Sequence, residues 1–353
     1  DNLIKINSNL YNLNLREKLY FNQKAQNTFE DFLFKNIFID IPTSYLENYK
    51  TITKGINNIL TDKKKIILCN YSHLNSDKWK IWIAEMIQRK SKLITYTHGG
   101  GLPLKTYYKF SEPKHELKIS TKRITWFKYT EKDSVQLSPL KTINFKKIKY
   151  ASYKNKLLSI IVPDMHLFLV NPERNPYGRE NVDQIDNCFK LIKNLNPDLQ
   201  NVTKFKLNNQ DNERDIWFIK RMIKEKYGNS KIIKAGTNLR KTINESKFII
   251  NLYPQTCLSE TLISNIPFAL FYNPSHWDVS DECEEMILLM KKNHIYFEDP
   301  KQLSDHLNKI WPTVNEWWNS QAILEVRNYL KDKTANLDKN WKNEWVNFLK
   351  NTN

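Results

Sequence analysis

The sequence predicts an α/β protein in which two Rossmann-like domains face a cleft. Two stretches of the chain alternate short apolar runs with amphipathic helical patterns, which is typical of parallel sheets covered by helices. A basic segment near residues 130–155 separates them, and 353 residues suit two domains. We therefore expect one domain over residues 1–145 and a second over 146–353. Because the chain begins with Asp1 rather than Met, we also expect the first domain to be incomplete at its start.

The first stretch predicts a helical beginning followed by alternating strands and helices. Residues 1–35 carry Phe and Leu at helical spacing between Asn-rich interruptions. Pro42 ends the apolar run before it, since proline lacks the amide hydrogen that a central strand needs. The predicted strands are 36–41, 66–70 and 92–96, and the predicted helices are 44–60 and 77–89.

The second stretch, from residue 156, predicts a larger sheet with its covering helices. Asn196-Pro197 and Gly228 mark the ends of two of these helices. The predicted strands are 156–162, 203–207, 230–234, 247–252 and 267–272. The predicted helices are 182–195, 211–227, 238–244, 257–264, 281–292, 300–310, 314–333 and 340–350.

Composition excludes some classes of protein and favours anionic partners. No window approaches the roughly 20 apolar residues of a membrane-spanning helix, and four widely spaced cysteines fit reduced thiols in the cytoplasm. The formal net charge of +17 partly reflects a general abundance of lysine along the chain. The remainder favours phosphate-bearing donors, acidic glycans or peripheral contact with the inner face of an anionic membrane. Nucleic acid is not expected, because no helix-turn-helix, zinc-finger or RNA-binding motif accompanies the charge.

A glycine-rich loop follows the predicted strand 92–96. Three of the seven glycines of the chain, Gly99, Gly100 and Gly101, stand together directly after His98. Glycine lets the backbone approach a hydroxyl or a phosphate closely, and histidine can accept or donate a proton near neutral pH. We therefore predict a substrate site here, with His98 as the general base or as a group that stabilises charge. A tight turn with a capping histidine is the alternative.

His115 and Glu116 form a second candidate for acid–base chemistry. A carboxylate can orient a histidine that acts as a base. On a strand, adjacent side chains point to opposite faces, so only one of the two could face a site shared with His98. The alternative is a surface pair on a loop.

A third candidate site lies between the predicted strand 247–252 and the helix after it. Hydroxyl groups and backbone amides gather there at a helix N-terminus, which attracts phosphate. Thr256 is placed as the N-cap, although a capping box without a ligand gives a similar sequence. The predicted donor-binding residues are Gln255, Thr256, Ser259, Glu260 and Thr261.

Two lysines complete the predicted donor site. Lys204 and Lys206 lie on one face of the short predicted strand 203–207, where they could neutralise a donor phosphate. Two solvated lysines are the alternative. The chain has no Walker loop, no spaced glycine motif for dinucleotides and no Asp-any-Asp pair. We therefore expect no cofactor and a metal-independent reaction with an activated donor.

Several of these motifs, in the same order, resemble a family of bacterial transferases from O-antigen and surface-polysaccharide gene clusters. The shared segments are 42–49 (PTSYLENY), the loop at His98, the His115-Glu116 pair, 119–126 (ISTKRITW), 251–267 (NLYPQTCLSETLISNIP) and a closing helix with Trp317, Trp318 and Arg327. The resemblance implies a glycosyltransferase-B architecture. It also implies transfer of a sugar from a nucleotide-sugar donor to a surface-glycan or lipid-linked glycan acceptor.

Two other functions stay open on the sequence. The segment 98–105 (HGGGLPLK) is similar to the loop of CDP-glycerol-type polymer phosphotransferases, which implies transfer of a polyol phosphate with a catalytic histidine. A non-catalytic basic protein that binds polyanions is the third possibility. The sequence does not select CMP, UDP or GDP as the nucleotide of the donor, nor inversion or retention at the sugar.

Overall fold

The structure is a computed structural model that describes residues 10–19, 24–59, 66–100, 112–128, 132–145, 157–162, 176, 178–207, 217–335 and 337–352. The chain divides into two compact units. The first unit comprises residues 1–98 and 119–123, with residue 353, and the second comprises 99–118 and 124–352. The predicted domain boundary near residue 145 stays a prediction.

The first unit places two parallel strands among helices. Cys69 pairs with Thr95 at the end of the ladder between these strands, and Ile67, Met86 and Leu93 are buried around them. The elements are α1 (Leu13–Glu17), α2 (Thr28–Asp40), a 3-10 turn (Thr43–Tyr45), α3 (Tyr49–Ile59), β1 (Ile66–Cys69), α4 (Ser72–Asn75), α5 (Asp77–Gln88) and β2 (Lys92–Tyr96). The predicted strands 66–70 and 92–96 are confirmed.

Residues 36–41 do not form the predicted strand, because most of them belong to the end of helix α2. The side chain of Asn27 accepts a hydrogen bond from the Glu30 amide at 2.9 Å, and the Gln26 amide donates to the Glu30 carboxylate at 2.8 Å. These caps start a helix that continues through the apolar run to Asp40. A six-residue apolar run alone does not distinguish a strand from a buried helical segment.

The sheet that contains β1 and β2 has four strands. Helix α6 (Glu112–Ile119), β3 (Lys122–Thr125) and β4 (Ser134–Gln136) follow along the chain, and the strand order is β1-β2-β3-β4. Strand β4 lies in the segment that the sequence predicts as a linker. Its three residues carry no run of apolar side chains, so the sequence gives no sign of it.

The second unit contains a parallel sheet of five strands with the order β6-β5-β7-β8-β9. Its strands are β5 (Leu157–Val162), β6 (Thr203–Leu207), β7 (Ser246–Asn251), β8 (Phe268–Phe271) and β9 (Tyr296–Phe297). Its helices are α7 (Arg179–Asn194), α8 (Pro197–Val202), α9 (Ile219–Tyr227), α10 (Leu239–Glu245), α11 (Thr256–Ser264), α12 (Asp281–Lys292), α13 (Pro300–Ile310), α14 (Val314–Trp318), α15 (Gln321–Thr334) and α16 (Trp341–Thr352). Both sheets confirm the predicted α/β class with parallel strands.

Two details of the second unit differ from the prediction. Residues 230–234 form no strand: Asn229–Lys231 is a 3-10 turn, and Ile232 makes one isolated bridge to Phe205. Gly228, with φ of +78°, ends α9, and the 3-10 turn after it takes up the first two residues of the predicted strand. Strand β9 was not predicted, because its two residues are too short to show a pattern.

The strand order creates a defined position at one edge of the second sheet. All five strands run the same way, so they all end at one edge, which we call the carboxyl edge. From β5 the chain first moves to β6 on one side, and β7 then lies on the other side. In open parallel sheets, ligands bind at the carboxyl edge where the order reverses in this way. Asn251 is the last residue of β7 and lies at that place.

Ser138 fastens the segment after β4 to the end of the chain, within the second unit. Its hydroxyl donates to the Glu344 carboxylate at 2.6 Å and accepts from the Asp338 amide at 3.0 Å. Its carbonyl accepts from the Trp345 indole at 2.9 Å. Ser138 is buried, so these bonds satisfy polar groups that are shielded from water.

Within the described part of the chain, no helix is long and apolar enough to cross a membrane.

Candidate functional site

His98 lies at the carboxyl ends of β1 and β2, in the first unit. Its Nδ1 is 2.9 Å from the Asn70 Oδ1, and its ring stacks on Tyr71 with centroids 4.9 Å apart. Because β1 and β2 are parallel neighbours, the residues that follow them meet at the same edge. The His98 side chain is exposed, so it can reach a substrate from solvent.

A thiol–imidazole pair joins the end of β1 to α4, on either side of Asn70. The Cys69 Sγ is 3.3 Å from the His73 Nδ1, and both residues are buried. Burial opposes ionisation of the Cys69 thiol, but hydrogen bonds from His73 and from the Ser72 amide lower its pKa below the usual value. This pair fixes the turn into α4 directly after Asn70. The Cys-any-any-any-His spacing is the sequence signal for this pair, since it places the two residues on either side of the turn into α4.

Gly99 and Gly100 pack against helix α11, within the second unit. A Cβ on Gly99 would collide with the Thr256 Oγ1, and a Cβ on Gly100 would collide with the Ser259 hydroxyl. The same Cβ on Gly100 would lie 2.6 Å from the Ser259 Cβ and 2.8 Å from Trp126 Cε3. Both glycines are buried. Glycine is therefore required here by the close approach of a helix. Gly101 lies outside the described residues.

Alanine at Gly100 is expected to lower the free energy of unfolding by about 1 to 3 kcal/mol, the usual effect of overpacking. At Gly99 the collision involves mainly one hydroxyl, because the Thr256 Cβ is 3.4 Å away. Thr256→Ala should therefore relieve Gly99→Ala, whereas Ser259→Ala should not relieve Gly100→Ala. Urea unfolding of the four single and two double variants measures this. Equal relief in both pairs would contradict the packing described.

The N-terminus of α11 carries the predicted donor-binding residues. The helix begins at Thr256, and Gln255, not Thr256, is the N-cap residue. The Gln255 side chain makes no capping hydrogen bond. The Ser259 hydroxyl is buried and has no hydrogen-bond partner among the described residues. This helix end therefore presents polar groups that its own cap does not satisfy.

Asn251 and Thr261 form a buried pair beneath this helix end. The Asn251 Nδ2 donates to the Thr261 Oγ1 at 3.1 Å, and that hydroxyl donates to the Leu258 carbonyl at 2.8 Å. Both residues are fully buried. The pair fixes α11 to the end of β7.

The turn between β7 and α11 is held in an unusual conformation. Tyr253 has φ of +67°, which side chains other than glycine rarely adopt. Its buried ring stacks on Trp277 with centroids 5.7 Å apart, and burial raises the pKa of its hydroxyl well above the usual value. Such strain persists where the surrounding packing fixes it, as it does at many functional sites.

Glu260 is a buried carboxylate in α11. Its Oε1 lies 3.6 Å from the Lys141 Nζ, and its side chain is 8% exposed. Burial raises the pKa of Glu260, and Lys141 only partly opposes that effect. Burial and the neighbouring Glu260 also raise the pKa of the Cys257 thiol to about 12, so Cys257 is not a thiolate nucleophile at neutral pH.

The structure places the remaining predicted residues on two other elements of the second unit. His115 and Glu116 lie on helix α6, not on a strand or a loop, with His115 exposed and Glu116 buried. On β6, Lys206 is buried and donates to the Leu207 carbonyl at 2.8 Å, and burial lowers its pKa. Lys204 is only partly buried. Both lysines are on the strand that flanks β5 opposite β7.

A family of transferases, LIC12162, matches residues 2–349 of the 353. The chain belongs to the LIC12162 transferase family. It is therefore an enzyme that transfers a chemical group. The resemblance stated from the sequence is confirmed as far as a transferase family. No curated protein matches this transferase.

The transferase is also similar to solved glycosyltransferase and polymerase structures. MurG from Acinetobacter baumannii has a TM-score of 0.44 at 9% identity, over 93% of this chain and 89% of that one. WaaG, a glycosyltransferase involved in lipopolysaccharide biosynthesis, has a TM-score of 0.39 at 11% identity, and the match covers 73% of this chain and 82% of WaaG. The wall teichoic acid polymerase TagF has a TM-score of 0.35 at 10% identity, and the match covers 91% of this chain and 97% of TagF.

Proposed function

We propose that this transferase moves a sugar from a nucleotide-sugar donor to the acceptor of a bacterial surface glycan, such as an O-antigen or a capsule. One observation carries the proposal. Helix α11 begins at the carboxyl edge of the second sheet, beside Asn251 at the reversal of strand order. That is the usual place of a phosphate ligand in open parallel sheets. Family membership supplies the reaction class, which is group transfer.

The donor phosphates are proposed to bind at the N-terminus of α11. The amides of the first turn and the partial positive charge of the helix end favour a pyrophosphate. Gln255, Thr256 and Ser259 offer side-chain donors, and Glu260 next to them can accept a hydroxyl hydrogen. Lys204 and Lys206 add positive charge on the neighbouring part of the sheet. This arrangement stabilises a leaving nucleotide without a metal ion.

His98 is proposed to act as the general base toward the acceptor. The acceptor hydroxyl oxygen bonds to the anomeric carbon of the donor sugar while the bond from that carbon to the phosphate oxygen breaks. The nucleotide leaves with the electron pair of that bond, and the hydroxyl proton passes to the imidazole. An exposed histidine suits this step, because its usual pKa lies near neutral pH. The positive net charge favours a reaction at the cytoplasmic membrane surface, where a lipid-linked acceptor would lie.

A thermal-shift screen with CMP, CDP, UDP, GDP and their sugars tests the proposed donor site. At a concentration 100 times its Kd, a ligand adds about 2.7 kcal/mol to the free energy of unfolding, so we expect a rise of a few degrees in Tm. In the Thr256→Val, Ser259→Ala double variant that rise should shrink. The exposed Ser230, in the 3-10 turn after α9, provides the control Ser230→Ala.

Other outcomes of this screen are informative. Stabilisation by CDP-glycerol but by no nucleotide sugar would favour transfer of a polyol phosphate. No response to nucleotides, with salt-dependent binding of heparin, would favour a polyanion-binding protein and overturn the proposal. An unchanged nucleotide response in the double variant would place the donor site elsewhere.

A further inference from the structure

Asn70 occupies a fixed position next to the proposed base. It directly follows Cys69, which is held in the β1–β2 ladder opposite Thr95 and contacts the buried His73 at 3.3 Å. On its other side, the Tyr71 carbonyl accepts from the Leu74 amide at 3.0 Å in the first turn of α4. The backbone is therefore anchored on both sides of Asn70, and its side chain has a defined direction.

The contact between Asn70 and His98 determines which ring nitrogen carries the proton. The Asn70 Oδ1 is a carbonyl oxygen and can only accept, so at 2.9 Å the Nδ1 of His98 must donate to it. In a neutral imidazole the other nitrogen, Nε2, then carries the lone pair. A base needs its lone pair on the nitrogen that faces the substrate. Tyr71, stacked on the ring at 4.9 Å, restricts its rotation.

We propose that Asn70 is a positioning residue that holds His98 in the Nδ1–H tautomer, so that Nε2 accepts the proton of the acceptor. This inference rests on the proposed role of His98 as the base. It adds a residue that the sequence did not single out. Tyr71 assists by keeping the ring in the plane that this hydrogen bond requires.

Nuclear magnetic resonance of imidazole ¹⁵N nuclei tests the tautomer without any substrate. The signals of His98 are assigned by their loss in His98→Gln, among seven histidines in the chain. We expect the Nδ1–H form in the wild type and a shift toward the Nε2–H form in Asn70→Ala. The Nε2–H form in the wild type would mean that the Asn70 amide is reversed, and would overturn the proposal.

Asn70→Asp is the second variant and keeps the shape of the side chain. A carboxylate accepts the same hydrogen bond but also stabilises the charged imidazolium, so the pKa of His98 should rise by about one unit or more. The lower limb of the pH profile for turnover should move upward by the same amount. This shift tests the contact itself, and the tautomer in Asn70→Ala tests the positioning role. An unchanged pKa of His98 in Asn70→Asp would show that the side chain at position 70 does not contact the imidazole, and would overturn the proposal.

Asn75→Ala is the matched control, because Asn75 is an exposed asparagine five residues further along, at the end of α4. It should leave the tautomer and the pKa of His98 unchanged. The proposed role of His98 as base and the proposed positioning role of Asn70 are tested separately. If His98→Ala keeps full turnover, the proposed base is wrong whatever the spectrum shows. If His98 is needed but Asn70→Ala changes neither the spectrum nor turnover, only the positioning role of Asn70 is wrong.

Discussion

His98→Ala is expected to lower turnover by about 100-fold or more, the usual effect of removing a general base. The acceptor hydroxyl is a weak nucleophile until its proton is removed, and the exposed imidazole at the end of β2 is the group proposed to remove it. Donor binding should change little, because the proposed donor residues lie at the N-terminus of α11 and on β6. Single-turnover kinetics with the nucleotide sugar found in the thermal-shift screen measures the loss.

His115→Ala is the matched comparison for this prediction. His115 is also exposed, on α6, and the sequence analysis offers it as the second candidate base. We expect its replacement to change turnover by less than about threefold. The opposite pattern, with full turnover in His98→Ala and a large loss in His115→Ala, would move the role of base to α6.

Glu47→Ala is expected to lower the stability of the first unit by about 3 to 5 kcal/mol, the usual effect of removing one partner of a buried ion pair. The Arg16 Nε donates to the Glu47 Oε1 at 2.6 Å, and both side chains are 1% exposed. The Arg16 guanidinium also donates to the carbonyls of Phe38 and Ile39. Without Glu47, its positive charge would stay buried and uncompensated.

Urea unfolding of the whole chain, followed by a signal from the first unit, measures this effect, and Asp31→Ala is the control. Asp31 pairs with Lys35 on the surface of α2, where such pairs contribute less than about 1 kcal/mol. The Arg16 partner lowers the pKa of Glu47 to about 2. Because the folded value is depressed, the contribution of Glu47 is complete above its usual pKa, near 4.5, and is lost as the pH falls toward 2. A Glu47→Ala loss below about 1 kcal/mol would contradict the burial of the pair.

The sequence predicts strands 156–162, 247–252 and 267–272 of the second sheet because buried strands read as mostly apolar runs. Strand 203–207 is predicted at its true bounds although lysines alternate there with Phe and Leu, and strand 92–96 of the first unit is also predicted at its true bounds. The run 36–41 fails because a cap nine residues earlier decides its conformation. The run 230–234 fails because a 3-10 turn that begins at Asn229 takes up its first two residues. In both cases, residues outside the apolar run determine the conformation that the run adopts.

The candidate site was less predictable than the fold. His98 and Thr256 were predictable because they stand at strand ends beside glycines or hydroxyl groups. Asn70 was not, since asparagine is common in this chain and its contact with His98 arises only when β1 and β2 pair. The packing reason for Gly99 and Gly100 depends on contacts with a helix more than 150 residues away. The role of the His98 imidazole stays a prediction.

The hydrogen bonds of Ser138 have a consequence for how the chain matures during synthesis. Their partners, Asp338, Glu344 and Trp345, follow about 200 residues later. During synthesis, most of the second unit therefore leaves the ribosome before the hydrogen bonds of Ser138 to these residues can form. Until then this segment is open to proteases and to chaperones that hold incomplete chains. We therefore expect a chain truncated before residue 338 to be cleaved by proteases faster than the full chain, because the segment around Ser138 would lack these partners.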